Sequence, residues 1–425
     1  MAQTKPAKGE PAAGLAAFVD PLNLAQAVRA YEYPPQEVHP DPLVVFRNAG
    51  FDGIKGIGGQ AVAGVGEFGG IVRIAAIAPK PHQKSMQMFS FVKGADFAPQ
   101  QWVRPKVTAY MTLFMDPLTA FDNFDPIFDG FLEDPGIWKE VLRSLEEDED
   151  GPKISLRNQF FGLMGNRVTF VVDKKEPITA DSAQAVLAVE LKPGSEAKAL
   201  ETISKAFAND DTVEKIQVDA PSGKQDAWRV KVMEEVPPQA ANQEGVVDGM
   251  RVVADAIVTI GKASEGVTAH LFVASDVDML QKVLAPPKEP GLAHADDFVA
   301  VADKIGGFIQ TLGNDPTVLS LGFQRSDEML RVDYELFKAG QLEKATTPLG
   351  RIVNLITIKA KEEGKDVKPV DTSKLPPYDS VRKYLSPMGI VINETADGLF
   401  ATGFSLEKKV SAPSTDKGAT PEPPK

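Results

Sequence analysis

Four times along this chain an apolar, strand-like run stops at a polar or proline-containing step, and an amphipathic helix pattern follows. The copies are residues 15–31, 110–128, 187–203 and 270–284. Each copy needs a sheet for its strand and a core for one face of its helix, so the recurrence limits the fold more than any other feature. The steps carry their own chemistry. Asp20-Pro21 and Asp116-Pro117 join a carboxylate, which accepts a bond from an unpaired first-turn amide, to a proline whose missing amide costs nothing there. Ser195 is expected to cap the third helix, and Ser275 with Asp278 to form a capping box on the fourth.

The apolar positions repeat at helical spacing. Leu24, Val28 and Tyr31 share one face, as do Phe121, Phe124, Phe128 and Phe131. Leu200, Ile203 and Phe207 repeat the spacing, and so do Val277, Leu280 and Leu284. All four stripes read as faces laid on a core. Branched residues predict further strands at 71–78, 167–173 and 227–233. One hairpin is predicted from 318–323 and 330–336, because Leu330, Val332, Tyr334 and Leu336 alternate. Another spans 389–406 and turns at Asp397-Gly398, with Phe400, Thr402, Phe404 and Leu406 pointing one way. Helices are predicted over 297–312 and 378–385.

These elements predict an α+β fold of repeated strand–helix–hairpin units, with mainly antiparallel sheets and helices packed on one face. A strict βα alternation is missing, which argues against a doubly wound or TIM-barrel fold. The expected division is a flexible N-terminus at 1–13, a first repeat pair at 14–185, a second with the C-terminal hairpin at 186–410, and a disordered tail at 411–425.

The net charge of −13 disfavours nucleic acid and anionic membranes as partners, since their phosphates would be repelled. No apolar run approaches the roughly 18 residues of a membrane span. The absence of cysteine removes disulfides, thiolate metal sites and cysteine nucleophiles together. Residues 1–9 lack an apolar signal region and read as a flexible mature N-terminus after a cleaved signal. A natural cytosolic start with a flexible tail is the alternative.

No motif carries a reaction. Gly64-Val65-Gly66-Glu67-Phe68-Gly69 matches a dinucleotide fingerprint in letters. It precedes a strand instead of a helix, and Glu67 would sit in the phosphate cradle, so a glycine-rich hairpin is expected. The acidic run from Glu146 fails the calcium-loop spacing, because counting twelve from Asp148 reaches Gln159. Asp122, Asp125 and Asp129 share a helix face, which fits either a polar surface or paired carboxylates for glycan chemistry. His39, His82, His270 and His294 are isolated, and none forms a zinc-binding pair. Trp102, Trp138 and Trp228 read as core anchors.

The stretch from Gly50 to Gly59, the Ala78-Pro79-Lys80-Pro81 step and Met86 to Phe91 belong to a wider pattern. It continues with Trp102-Val103-Arg104-Pro105, Leu375-Pro376-Pro377-Tyr378, Tyr384-Leu385-Ser386-Pro387, Asp397-Gly398-Leu399-Phe400 and Gly403-Phe404. On these residues the chain, over most of 14–408, resembles a group of uncharacterised exported planctomycete proteins with a repeated α+β domain. The resemblance implies export to the periplasm or cell surface and brings no activity and no catalytic residues. The functional expectation is a non-enzymatic, exported binding or scaffold protein of the cell envelope. It has no cofactor or metal, and its partner is a protein or a second copy. The alternatives are a glycan or peptide hydrolase working through Asp122 or Asp125, and a small-molecule carrier with one large apolar pocket.

Overall fold

The computed structural model describes residues 14–32, 40–94, 96–149, 151–208, 210–220, 223–235, 246–247, 250–262, 267–285, 289–312, 317–362 and 371–407. The expected flexible start at 1–13 and tail at 411–425 lie outside them. The first strand, β1 (Leu15–Val19), leads through α1 (Pro21–Glu32) and α2 (Pro42–Asn48) into β2 (Gly56–Val65) and β3 (Phe68–Ile77). Next come β4 (Ala109–Phe114), α3 (Pro117–Asp122), α4 (Asp125–Leu132), α5 (Ile137–Glu147), α6 (Leu156–Gln159), β5 (Met164–Lys174) and β6 (Ala183–Leu191). They are followed by α7 (Glu196–Ala206), β7 (Val213–Ala220), β8 (Gly223–Glu235), β9 (Val246–Val247), β10 (Met250–Gly261) and β11 (His270–Ala274). The chain continues through α8 (Val277–Leu284), α9 (Asp296–Thr311), β12 (Thr317–Arg325), α10 (Ser326–Lys338) and α11 (Pro348–Glu362). It closes with α12 (Tyr378–Arg382), β13 (Pro387–Thr395) and β14 (Gly398–Leu406).

The fold is α+β, and its strands form one antiparallel sheet in the order β1-β2-β3-β14-β13-β12-β4-β5-β6-β11-β10-β8-β7, with β9 beside β10. Three stretches share one pairing rule. In β1–β3, β4–β6 and β12–β14, a strand is followed by helices and then by two strands, and each strand pairs with the next. The β12–β14 stretch is inserted between the other two, through the β3–β14 and β12–β4 pairings. The expected boundary at 185/186 therefore falls inside β6, and one sheet runs through both expected units. Contiguous sequence hid this, because the closing hairpin returns to the middle of the sheet.

The four recurring segments all form a strand followed by a helix. Asp20 and Asp116 cap as expected: Asp20 accepts from the Asn23 amide at 3.0 Å, and Asp116 from Leu118 and Thr119 at 3.1 and 3.2 Å. Asp276, and not Ser275, caps α8 by accepting from the Met279 amide at 2.9 Å. Ser195 precedes α7 without a side-chain cap bond. The predicted hairpin at 318–336 is half right. Its first arm is β12, but its second is α10, in which Val332 and Leu336 are buried at helical i, i+4 spacing. The alternation there is a coincidence of a helix face with period two.

Helices lie on both faces of the sheet instead of one. On one face α8 and α9 bury Met279, Leu280, Phe298, Val301 and Ile305 against Phe272, Phe323, Val391 and Phe404. Burying each such side chain contributes about 1.5–3 kcal/mol. Gly389 permits the approach of α9, since a Cβ there would lie 2.6 Å from Val301. On the other face α7 packs Ala199 and Ile203 on Val189, Trp228, Val258 and Leu271, at the β6-to-β8 end only. The α1 stripe departs from expectation: Leu24 and Val28 are 51% and 46% exposed.

Candidate functional site

Side chains on neighbouring residues of a strand point to opposite faces, so every strand in mid-sheet contributes to two environments. On β4, Tyr110, Thr112 and Phe114 are buried in the α9 face, while Ala109, Met111 and Leu113 look the other way. The pairing carries the same alternation across the sheet. Met111 lies opposite Phe170 on β5 and Gly322 on β12, and Gly322 lies opposite Ile390 on β13. Ile390 in turn meets Gly403 on β14, which meets Val72 on β3.

Among the described residues no helix lies over the middle of this face, and there it holds a groove of about 430 Å³. The walls are Val72, Ile74, Met111, Phe170, Val172 and Met388, with Met329 of α10 at one side. The floor is made of small residues, Ala109, Gly322, Ala401 and Gly403. Two of the glycines differ physically. A Cβ on Gly322 would lie 2.5 Å from the Ile390 methyl, so packing demands glycine there. A Cβ on Gly403 would meet nothing closer than 3.8 Å, so that position is bare without steric need and leaves room above the sheet. Among the described residues Gln324 is the polar side chain of the lining, since the Tyr110 ring is buried against Phe298 on the α9 face. The charges beside Met329 pair with one another: Lys174 with Glu328 at 2.7 Å, and Arg331 with Glu176 at 2.9 Å.

The opposite face contains a buried polar cluster under the chain segment 96–104. Arg167 donates to the Ala98 carbonyl at 2.5 Å and to the Thr112 and Tyr110 hydroxyls at 3.1 Å. Glu190 lies 3.8 Å from Arg167 and 3.9 Å from His270. His270 is packed between Trp102 and Phe272 at ring distances of 5.9 and 5.3 Å. Burial lowers the His270 pKa to about 4, and the Arg167 charge acts the same way. Burial raises the Glu190 pKa, against the pull of Arg167. The cluster ties the segment 96–104 to the sheet through the Ala98 and Phe97 carbonyls.

The residues singled out in sequence are dispersed. Asp122 accepts two bonds from Arg157, both 2.7 Å. Asp129 accepts from the Gly136 and Trp138 amides at 2.7 and 2.9 Å, which closes the start of α5. Asp125 opens α4. Phe121, Phe124 and Phe128 surround Trp138 at 4.8–5.6 Å, while Phe131 meets Phe46 of α2 at 5.8 Å. The glycine motif is the β2–β3 hairpin, where Gly64 and Gly66 have φ of 66° and 59°. His82 contacts the Ala78 carbonyl at 3.1 Å, and His39 lies outside the described residues. Among the described residues no group of three or more His, Asp or Glu could hold a metal. No helix among them is long and apolar enough to cross a membrane.

No protein-family model matches the chain, and no curated protein matches it. The groove residues escaped sequence reading because they come from six strands and two ends of the chain. The one local signal was in β14: Phe400, Thr402 and Phe404 face the core, which leaves Ala401 and Gly403 as an unusually small opposite face.

Proposed function

We propose that this protein is a non-enzymatic, exported binding protein of the cell envelope that holds an apolar small molecule on the open face of its sheet. The groove carries this reading. Ligand pockets fall at about 300–1,000 Å³ and combine apolar walls with few polar groups, and the 430 Å³ groove has that size and lining. Export rests on the resemblance to exported planctomycete proteins. The repeated pairing rule is read as multiplication of one unit that built a sheet wide enough to carry the groove. Asp122, one of the two carboxylates of the hydrolase alternative, is engaged in an ion pair with Arg157, which weakens that reading.

The uncharged dye N-phenyl-1-naphthylamine tests this reading, since its fluorescence rises in apolar surroundings. Saturable binding of one dye per chain is expected, and Gly403→Phe should abolish it while leaving the thermal melt in place. Binding that persists undiminished in a folded Gly403→Phe variant would refute it.

A scaffold role is the second reading, favoured by the sheet edge. Leu15 and Phe18 of β1 are exposed beside Leu24 and Val28 of α1, which leaves an apolar border for a second copy or a protein partner. A strictly monomeric native mass with no co-purifying partner would count against it.

A further inference from the structure

The shape of the groove says more than its volume. The lining comes from β3, β14, β13, β12, β4 and β5, which are six consecutive strands of the sheet. The groove therefore runs across the strands. Five spacings of about 4.8 Å give it a length of roughly 24 Å. A volume of 430 Å³ spread over that length makes the site long relative to its cross-section, as an extended chain requires. A compact ring system of the same volume would need a shorter and wider site.

The chemistry agrees with the shape. No charged side chain lines the groove. Three of its wall residues are methionines, Met111, Met329 and Met388, whose unbranched side chains adapt to a flexible apolar guest. The floor carries small residues on either side of Ile390 of β13, with Gly322 on β12 and Ala401 and Gly403 on β14.

We propose that the groove takes a single extended hydrocarbon chain, of the alkyl or acyl class, laid across the strands of the open face; this rests on the groove being an apolar-ligand site. An extended chain advances roughly 1.2 Å per bond, so the groove accommodates roughly 16–20 carbons.

The test is displacement of bound N-phenyl-1-naphthylamine from the full chain by 1-octanol, 1-dodecanol and 1-hexadecanol, with pyrene as the compact competitor. Apparent affinity is expected to rise up to about fourfold per added methylene up to hexadecanol, and pyrene should compete no better than octanol. Ala401→Leu, which raises the floor without touching the core, should weaken hexadecanol at least tenfold and octanol much less. It serves as the second variant should Gly403→Phe fail to fold. Pyrene matching hexadecanol, or a flat response beyond octanol, would overturn the chain proposal and leave the apolar-ligand reading standing. Failure of the dye itself to bind would overturn both. A dimer that Ala401→Leu converts to monomer would also overturn the proposal and assign the face to a second copy.

Discussion

The two faces of this one sheet are built from alternate residues of the same strands, yet they have opposite fates. Phe272 on β11 is fully buried under α8 and Trp102, whereas Phe170 on β5 is 43% exposed at the groove wall. Both lie in interior strands of the sheet. The difference is made by what crosses over each face: α8, α9 and the segment 96–104 on one, and, among the described residues, nothing over the middle of the other. Apolar patterning therefore recruits a face to the sheet, while connections decide whether that face becomes core or site.

The largest expected effect separates the faces directly. Phe272→Ala should cost about 3–5 kcal/mol in denaturant unfolding, because a rigid packed face leaves a cavity. Phe170→Ala should cost under about 1 kcal/mol and instead weaken dye binding. Equal losses of stability would mean that the open face is core in solution.

The next effect belongs to the closed face alone. Folded His270 titrates at about 4, below its ordinary value of 6.5. Above pH 6.5 both folded and unfolded states hold it neutral, and its contribution is complete. As pH falls from 6.5 to 4 only the unfolded state takes the proton, so stability drops by up to about 3 kcal/mol and then levels off. Arg167, Glu190, Asp96 and Tyr110 share this surrounding, and the raised Glu190 carboxyl acts in the opposite sense as pH falls. Comparing wild type with His270→Phe isolates the histidine. An unchanged pH profile in the variant would show that the ring is hydrated in solution and that this face is less tightly closed.

The smallest expected effect lies off both faces. Asp129→Ala removes the cap of α5 and should cost about 1 kcal/mol with dye binding intact. Loss of binding in that variant would move the ligand site to the α3–α5 helices and end the contrast between the faces.

Much of the scaffold was legible locally. The strand–step–helix segments, the Asp20 and Asp116 caps and the Asp397-Gly398 hairpin depend on residues within one turn of each other. α10 was missed because Leu330, Val332, Tyr334 and Leu336 fit period two, and only burial showed that Val332 and Leu336 carry the packing. The α1 stripe was read as core because periodicity reports a face without saying what opposes it; Leu24 and Val28 face solvent at the edge of the sheet. The Asp122 and Asp129 pairing partners lie on other elements or past the next turn, beyond the reach of spacing rules.

The sequence by itself determined the α+β class, the antiparallel habit of the strands and the helix starts, since hydrogen bonding and side-chain periodicity act over a few residues. Only the tertiary structure decided that β12–β14 enter between β3 and β4, and with that insertion the groove came into being. Gly403, Met111 and Phe170 are far apart in the chain and become neighbours through strand pairing alone, a choice made by the whole sheet.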